Sequence, residues 1–102
     1  MEYILVHTPN GNLTPQTMPA LIEMGKQVAA KPEQFVPGAK MLTAYASQAK
    51  MFMVCIWEAP SIDVIMPALE QMSMMGFDTE VIPADKLEVK MDKLAKALAA
   101  MK

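Results

Sequence analysis

The sequence predicts a single small α+β domain in which the elements run strand, helix, strand, strand, helix, strand. Three observations support this prediction. The chain has 102 residues, of which 53% are hydrophobic and 20% are charged, a composition that suits one folded core and is too apolar for a disordered chain. Short alternating segments, typical of strands, take turns with segments whose apolar residues recur at helical spacing. The motif Met-Pro-Ala-Leu occurs at residues 18–21 and again at 66–69, which indicates two related halves.

The first half contains a strand, a helix and a second strand. Residues 2–8 alternate and run into a turn-forming cluster of Pro, Asn and Gly, which predicts the first strand. Thr14 and Pro15 are suited to the start of a helix, which we expect to continue for about fifteen residues to the neighbourhood of Lys31. Residues 40–46 alternate again and predict the second strand.

The second half repeats this order. Residues 50–58 alternate and follow the second strand after a short polar link, so we expect the two strands to form a β-hairpin. Ser61 is suited to cap a second helix, which Gly76 ends. Residues 78–82 predict a short fourth strand. Two such halves produce the ferredoxin-like arrangement, in which both helices cover one face of an antiparallel sheet.

The C-terminal segment, residues 84–102, is a separate element. Its apolar residues repeat at intervals of four and three with lysines on the opposite side, which predicts an amphipathic helix. We expect this helix to pack on the domain formed by residues 1–83 or on a partner subunit. A helix lying on a membrane surface is the alternative, although the apolar edge has no aromatic residues. The repeating apolar residues are Leu87, Met91, Leu94, Leu98 and Met101.

The alternation of side chains along the strands predicts which residues face the helices. Ile4 and Val6 in the first strand, with Leu42, Ala44, Phe52, Val54 and Ile56 later, are the purely aliphatic parity, which we expect to face the helices. The residues of the other parity are nearly as apolar. A sheet with one solvent-exposed face would have polar residues at these positions. Such a patch is rarely exposed on a soluble monomer. We therefore expect a homodimer or higher homo-oligomer that packs sheet against sheet around a cavity. This parity comprises Tyr3, Leu5, His7, Met41, Thr43, Tyr45, Met51, Met53, Cys55 and Trp57.

The stretch 38–60, with the strand before it and the helix after it, resembles the dimeric α/β-barrel proteins, nearest to GYD-domain-like and similar small proteins of unknown function. Their Gly-x-Lys-x-Leu opening is represented by Gly38, Lys40 and Leu42, and their Glu-Ala-Pro strand end by residues 58–60. The resemblance covers residues 2–83. It implies a ferredoxin-like fold that dimerises into a barrel with a cavity between the sheets. The wider superfamily includes monooxygenases, isomerases and haem-binding enzymes, so the resemblance implies no particular reaction.

His7 is the only histidine, and histidine is the ordinary side chain that exchanges protons near neutral pH. It is the candidate catalytic acid or base, and a hydrogen-bonded histidine at a strand end is the structural alternative. The expected function is binding of a small apolar or aromatic molecule, with acid/base or oxygen chemistry on that molecule if the protein is an enzyme, a question the sequence leaves open. The expected ligand contacts are Tyr3, Leu5, Thr43, Tyr45, Met51, Met53, Cys55 and Trp57.

A soft-metal site is the second hypothesis. Met51, Met53 and Cys55 alternate along one strand and lie opposite His7, and thioether, thiolate and imidazole are the ligands that Cu(I) selects. Against it, methionine commonly fills irregular cores, and the chain has twelve methionines. We thus expect no cofactor under the first hypothesis and copper under the second. A structural or assembly protein, whose apolar face serves only as an interface, is the third.

Charge and cysteine content limit the expected partners. All nine basic residues are lysines, so the guanidinium fork that reads phosphate and guanine is missing and nucleic acid is not expected. No stretch reaches the roughly 18 apolar residues of a membrane span, so no membrane partner is expected. The single Cys55 excludes an intramolecular disulfide, and the first residues lack the pattern of a signal peptide. A cytoplasmic location is the resulting expectation.

Overall fold

The computed structural model describes residues 1–101, which form a four-stranded antiparallel sheet and four α-helices. The strands are β1 (Glu2–Pro9), β2 (Lys40–Ala46), β3 (Met53–Glu58) and β4 (Phe77–Ala84). The helices are α1 (Met18–Ala30), the short α2 (Pro32–Phe35), α3 (Met66–Met75) and α4 (Leu87–Ala100). One turn of 3-10 helix, Ile62–Val64, precedes α3. The predicted α+β class is confirmed.

The strands lie in the order β2-β3-β1-β4, and every neighbouring pair is antiparallel. β1 is central, so that Ile4 is paired with Ile56 of β3 on one side and with Ile82 of β4 on the other. The β2–β3 pairing has a register shift between Met41 and Thr43. Such a bulge changes the parity of the residues that follow it. As a result, Thr43 and Tyr45 lie on the face turned away from the helices while Ala44 faces the helices, as expected for these three residues.

Helices α1 and α3 both begin later than the sequence indicates, because the proline of each helix belongs to its first turn. Pro19 and Pro67 are the second residues of α1 and α3. A proline there removes an N–H that would have no intrahelical acceptor, so the position costs little. Ahead of α1 the chain forms a hydrogen-bonded turn, in which the Thr17 hydroxyl donates to the carbonyl of Asn12 over 2.7 Å.

Gly76 ends α3 as predicted and makes the tight transition into β4 possible. Its φ is +135°, a conformation that L side chains rarely adopt. A Cβ at this position would lie 2.7 Å from the Cα of Leu13. The carbonyl of Gly76 also accepts a 2.8 Å hydrogen bond from the amide of Asn10, so this glycine joins the end of α3 to the loop after β1.

In β1 and β3 the two faces of the sheet are reversed relative to the sequence prediction. Tyr3, Leu5 and Trp57 are buried against Ile65 and Leu69 on the helical side. Ile4, Val6, Val54 and Ile56 have the opposite parity and face away from the helices. The prediction that these four residues point toward the helices is wrong. The physical reason is that both parities are apolar, and the larger Tyr and Trp side chains gain the most from burial between the sheet and the helices.

The predicted C-terminal amphipathic helix is present as α4, and it projects from the rest of the chain. None of its residues is buried, and the five apolar residues that repeat along it are between 47% and 82% exposed. The radius of gyration is 16.1 Å and the longest axis 59 Å, compared with a radius of about 13 Å for a compact domain of this size. An ion pair of 2.7 Å joins Lys93 of α4 to Asp85, just before the helix.

Candidate functional site

A cavity of about 450 Å³ lies between the sheet and helices α1 and α3. The sheet forms one wall and the apolar sides of the two helices form the other. The volume falls in the range that proteins use to bind small organic molecules. From the sheet the lining includes Leu5, His7, Met53, Cys55 and Trp57, and from the helices it includes Leu21, Met24, Val28, Leu69 and Met72.

The cavity opens to solvent between α1 and the β2–β3 connection. Ile22 of α1 and Met51 of the connection both line the cavity, and each is 52% exposed. Gly25 lines it as well, and a Cβ added there would meet no atom within 4 Å. Leu5 and Phe77, which are fully buried, also line the cavity. The mouth is therefore bordered by exposed apolar residues, among them Ile22, Ala29, Ala44 and Met51, and by a helical position without a side chain.

His7 is the buried polar residue in this apolar lining, with only 2% of its surface exposed. Its Nδ1 lies 2.7 Å from the hydroxyl oxygen of Thr79, its neighbour in the pairing of β1 with β4. Burial lowers the pKa of His7 from 6.5 to about 4. The imidazole is therefore neutral at pH 7, with one N–H donor and one acceptor nitrogen.

The second ring nitrogen of His7 is free to contact a ligand. Within residues 1–101, Nε2 has no hydrogen-bond partner, and no side-chain nitrogen or oxygen there is both fully buried and unpaired. Nε2 must then retain some accessible surface, and the space that His7 lines is the cavity. Because Thr79 occupies Nδ1 and the hydroxyl can either donate or accept, Nε2 can take either role as well.

Sulfur-bearing side chains lie beside His7 on the sheet. Met53 is the direct partner of His7 in the β1–β3 pairing, and Cys55 is the partner of Leu5. Burial raises the pKa of the Cys55 thiol, and the neighbouring Trp57 side chain opposes the shift. A thiol in this state is protonated at neutral pH and reacts slowly as a nucleophile.

The structure brings together six of the residues predicted from the sequence and separates three from them. Thr43 and Tyr45 lie on the far face of the sheet, where Tyr45 is 76% exposed. Tyr3 is part of the core, and its hydroxyl donates to the sulfur of Met1 over 3.3 Å. The residues that share the cavity are Leu5, His7, Met51, Met53, Cys55 and Trp57.

The expected position of the cavity, between the sheets of two subunits, is wrong for these residues, because the space they line lies within one chain. The helix residues that complete the lining were not among the predicted ligand contacts. Their signal was the helical spacing of Leu21, Met24 and Val28, which by itself indicates only a buried face. Thr79 was also missed, and only the pairing of β4 with β1 reveals that it is the partner of His7.

Comparisons with known proteins identify no relative: no protein-family model, curated protein or solved structure matches this chain. Among residues 1–101, no cluster of three or more His, Cys, Asp or Glu side chains is placed to hold a metal ion. No helix in that range is both long enough and apolar enough to cross a membrane.

Proposed function

We propose that this protein binds a small apolar or aromatic molecule in the cavity between its sheet and its helices. The cavity itself is the observation that carries the proposal, since about 450 Å³ of apolar-lined space is large for a chain of 102 residues. Moving an apolar molecule from water into this space is favourable, because the surface of the molecule and the apolar lining are then both removed from water.

His7 defines the polar part of the expected ligand. A neutral imidazole with a free Nε2 offers one hydrogen bond, so the ligand is expected to carry one donor or acceptor on an otherwise apolar body. A group whose pKa is about 4 is a weak base at neutral pH, because general bases work best with a pKa near the working pH. Binding is therefore the function that we favour, and acid/base or oxygen chemistry at His7 stays a prediction.

We also infer the ferredoxin-like arrangement for residues 1–83. It is supported by the strand order β2-β3-β1-β4 together with helices α1 and α3, each of which follows a central strand and leads to an edge strand. The homodimer and the dimeric barrel implied by the resemblance stay predictions, as does the cytoplasmic location.

Ligand binding is testable with 1-naphthol, an aromatic probe that carries a single hydroxyl group. Calorimetric titration of the wild type is expected to show saturable binding with a negative heat-capacity change, the mark of apolar burial. Gly25→Phe would place a ring in the cavity mouth and is expected to weaken binding at least tenfold. Gln27→Phe puts the same ring on an exposed position of α1 outside the lining and serves as the control. Equal affinity in Gly25→Phe and the wild type would contradict binding in this cavity.

Binding of Cu(I) is a second candidate, supported by the observation that His7, Met51, Met53 and Cys55 line the same cavity. These are the soft donor groups that Cu(I) selects. Because the Cys55 thiol is protonated, metal binding would release a proton to the solvent. Titration with Cu(I) under reducing conditions tests this candidate, with Cys55→Ser and His7→Ala as the variants. Equal uptake by the wild type and both variants would eliminate it.

A further inference from the structure

The sheet face turned away from α1 and α3, called here the open face, is an apolar strip bordered by carboxylates. Strand pairing places Ile56, Ile4 and Ile82 side by side, with Val54 and Val6 in the next row. Glu2 and Glu58 lie beyond one side of the strip, and Glu80 lies at the other. The carboxylate of Asp78, further along β4, accepts hydrogen bonds from Asn10 and Ser73. Lys40, paired with Glu58, is the basic residue of this face. The open face thus combines an apolar centre with an excess of negative charge.

Helix α4 carries a surface of the complementary kind. Its apolar seam, defined by Leu87, Met91, Leu94, Leu98 and Met101, is exposed along its whole length. Residues 85–102 contain five lysines and three carboxylates, so this segment has the opposite charge excess from the open face. A helix of 14 residues is about 21 Å long, and four strands span about 15 Å between their outer axes. The seam is therefore long enough to cross the sheet.

The helix does not cover the open face of its own chain. Only Asp85 and Lys86 separate β4 from α4, and the ion pair between Asp85 and Lys93 ties this short connection to the helix. α4 continues outward and extends the molecule to 59 Å. One chain therefore displays two unpartnered apolar surfaces, one on the helix and one on the sheet.

We propose that α4 of a second copy of this chain lies on the open face, with reciprocal exchange in a two-fold symmetric dimer. Burying an aliphatic side chain removes roughly 60–120 Å² of apolar surface from water. The five seam residues, which are 47–82% exposed, would then bury up to roughly 300–600 Å² per copy. The aliphatic residues of the open face, most of which are already partly buried in the single chain, would add a smaller area, so the contact approaches the about 800 Å² that each partner of a stable complex contributes.

Charge selects this arrangement over direct contact between two open faces. Packing sheet on sheet would bring the carboxylates of one copy toward those of the other and would leave both α4 seams exposed. Like charges brought together at an interface are strongly unfavourable. Lysines of α4 placed at the borders of the strip offset the same carboxylates. The helix of the second copy is therefore the better occupant for the open face.

Cross-linking tests which surfaces meet. In a Cys55→Ala background, Ile4→Cys and Leu94→Cys are made as separate chains, mixed, and treated with a short bismaleimide. We expect cross-linked heterodimers of Ile4→Cys with Leu94→Cys, and few products from either chain alone. Val89→Cys, on the other side of α4, is the control for random collision and should not cross-link to Ile4→Cys. Efficient cross-linking of Ile4→Cys to itself would show sheet-on-sheet packing and overturn the proposal.

Sedimentation tests the energetic role of the seam. The wild type is expected to sediment as a dimer at micromolar concentration. Leu94→Asp should weaken the dimer at least tenfold, whereas Val89→Asp, the same change on the opposite side of α4, should leave it intact. Leu94 is exposed in the single chain, so circular dichroism should show a folded variant. A monomeric wild type, or a Leu94→Asp dimer as stable as that of the wild type, would overturn the proposal.

Discussion

Acid should destabilise this protein through one side chain, His7. The pKa of His7 is about 4 in the folded chain, compared with 6.5 for an unperturbed histidine. Between these values the unfolded chain holds a proton that the folded chain lacks, so the free energy of unfolding falls as the pH falls. Above pH 6.5 the His7 imidazole is neutral in both the folded and the unfolded chain, and the free energy of unfolding is not reduced. Below pH 4 the imidazole is protonated in both, and the loss of unfolding free energy is complete. Each pKa unit corresponds to 1.36 kcal/mol, so the complete loss is roughly 3 kcal/mol.

The assay is urea unfolding followed by the fluorescence of Trp57, the only tryptophan, which is buried. Between pH 7 and pH 5 we expect the wild type to lose roughly 2 kcal/mol of unfolding free energy from His7. Carboxylates of ordinary pKa titrate mainly below this window. His7→Gln cannot titrate and is expected to lack this slope, whatever its absolute stability. Parallel curves for the wild type and His7→Gln from pH 7 to pH 5 would refute the description of His7 as a buried neutral imidazole.

Two glycine substitutions and one thiol reagent test the structural roles of Gly76 and Gly25 and the burial of Cys55. Gly76→Ala is expected to lower the free energy of unfolding by roughly 3 kcal/mol or more, because the positive φ disfavours a side chain and the added Cβ would lie 2.7 Å from Leu13. Urea titration measures the change. Gly11→Ala, whose Cβ would meet no atom within 4 Å, is the control. Gly25→Ala should raise stability by about 1 kcal/mol through helix propensity, and an unchanged midpoint would contradict this. Cys55 should react slowly with a disulfide reagent in the folded protein and rapidly in urea, since burial raises its pKa; equally fast reaction in both would contradict its placement.

The elements of the fold could be predicted because their signals are local. Alternation in residues 2–8 predicts β1, the step of four and three from Leu87 predicts α4, and Gly76 marks the end of α3. The starts of α1 and α3 were less well predicted, because a proline is compatible both with the first turn of a helix and with the residues before it. The structure places Pro19 and Pro67 in the first turn.

The candidate site could be predicted only in part. Parity correctly grouped His7, Met53 and Cys55, because side chains two residues apart on a strand share a face and strand pairing brings facing residues together. The bulge in β2 separated Tyr45 from this group, and a bulge leaves no signal in the alternation of a short apolar strand. The hydroxyl of Thr79 comes from a strand distant in sequence, so its contact with His7 follows only from the pairing of β4 with β1.

By itself the sequence determined the α+β class, the approximate positions of the four strands and of helices α1 and α3, and the presence of an amphipathic helix at the C-terminus. Only the tertiary structure decided which face of the sheet the helices cover, and therefore that the cavity lies within one chain. The reason is that the sequence distinguishes the faces of a sheet by their hydrophobicity, and the two faces of this sheet are about equally apolar. Side-chain size and shape decide between the two faces, because the large side chains of Tyr3 and Trp57 are buried under the helices. How side chains fit together depends on the assembled chain.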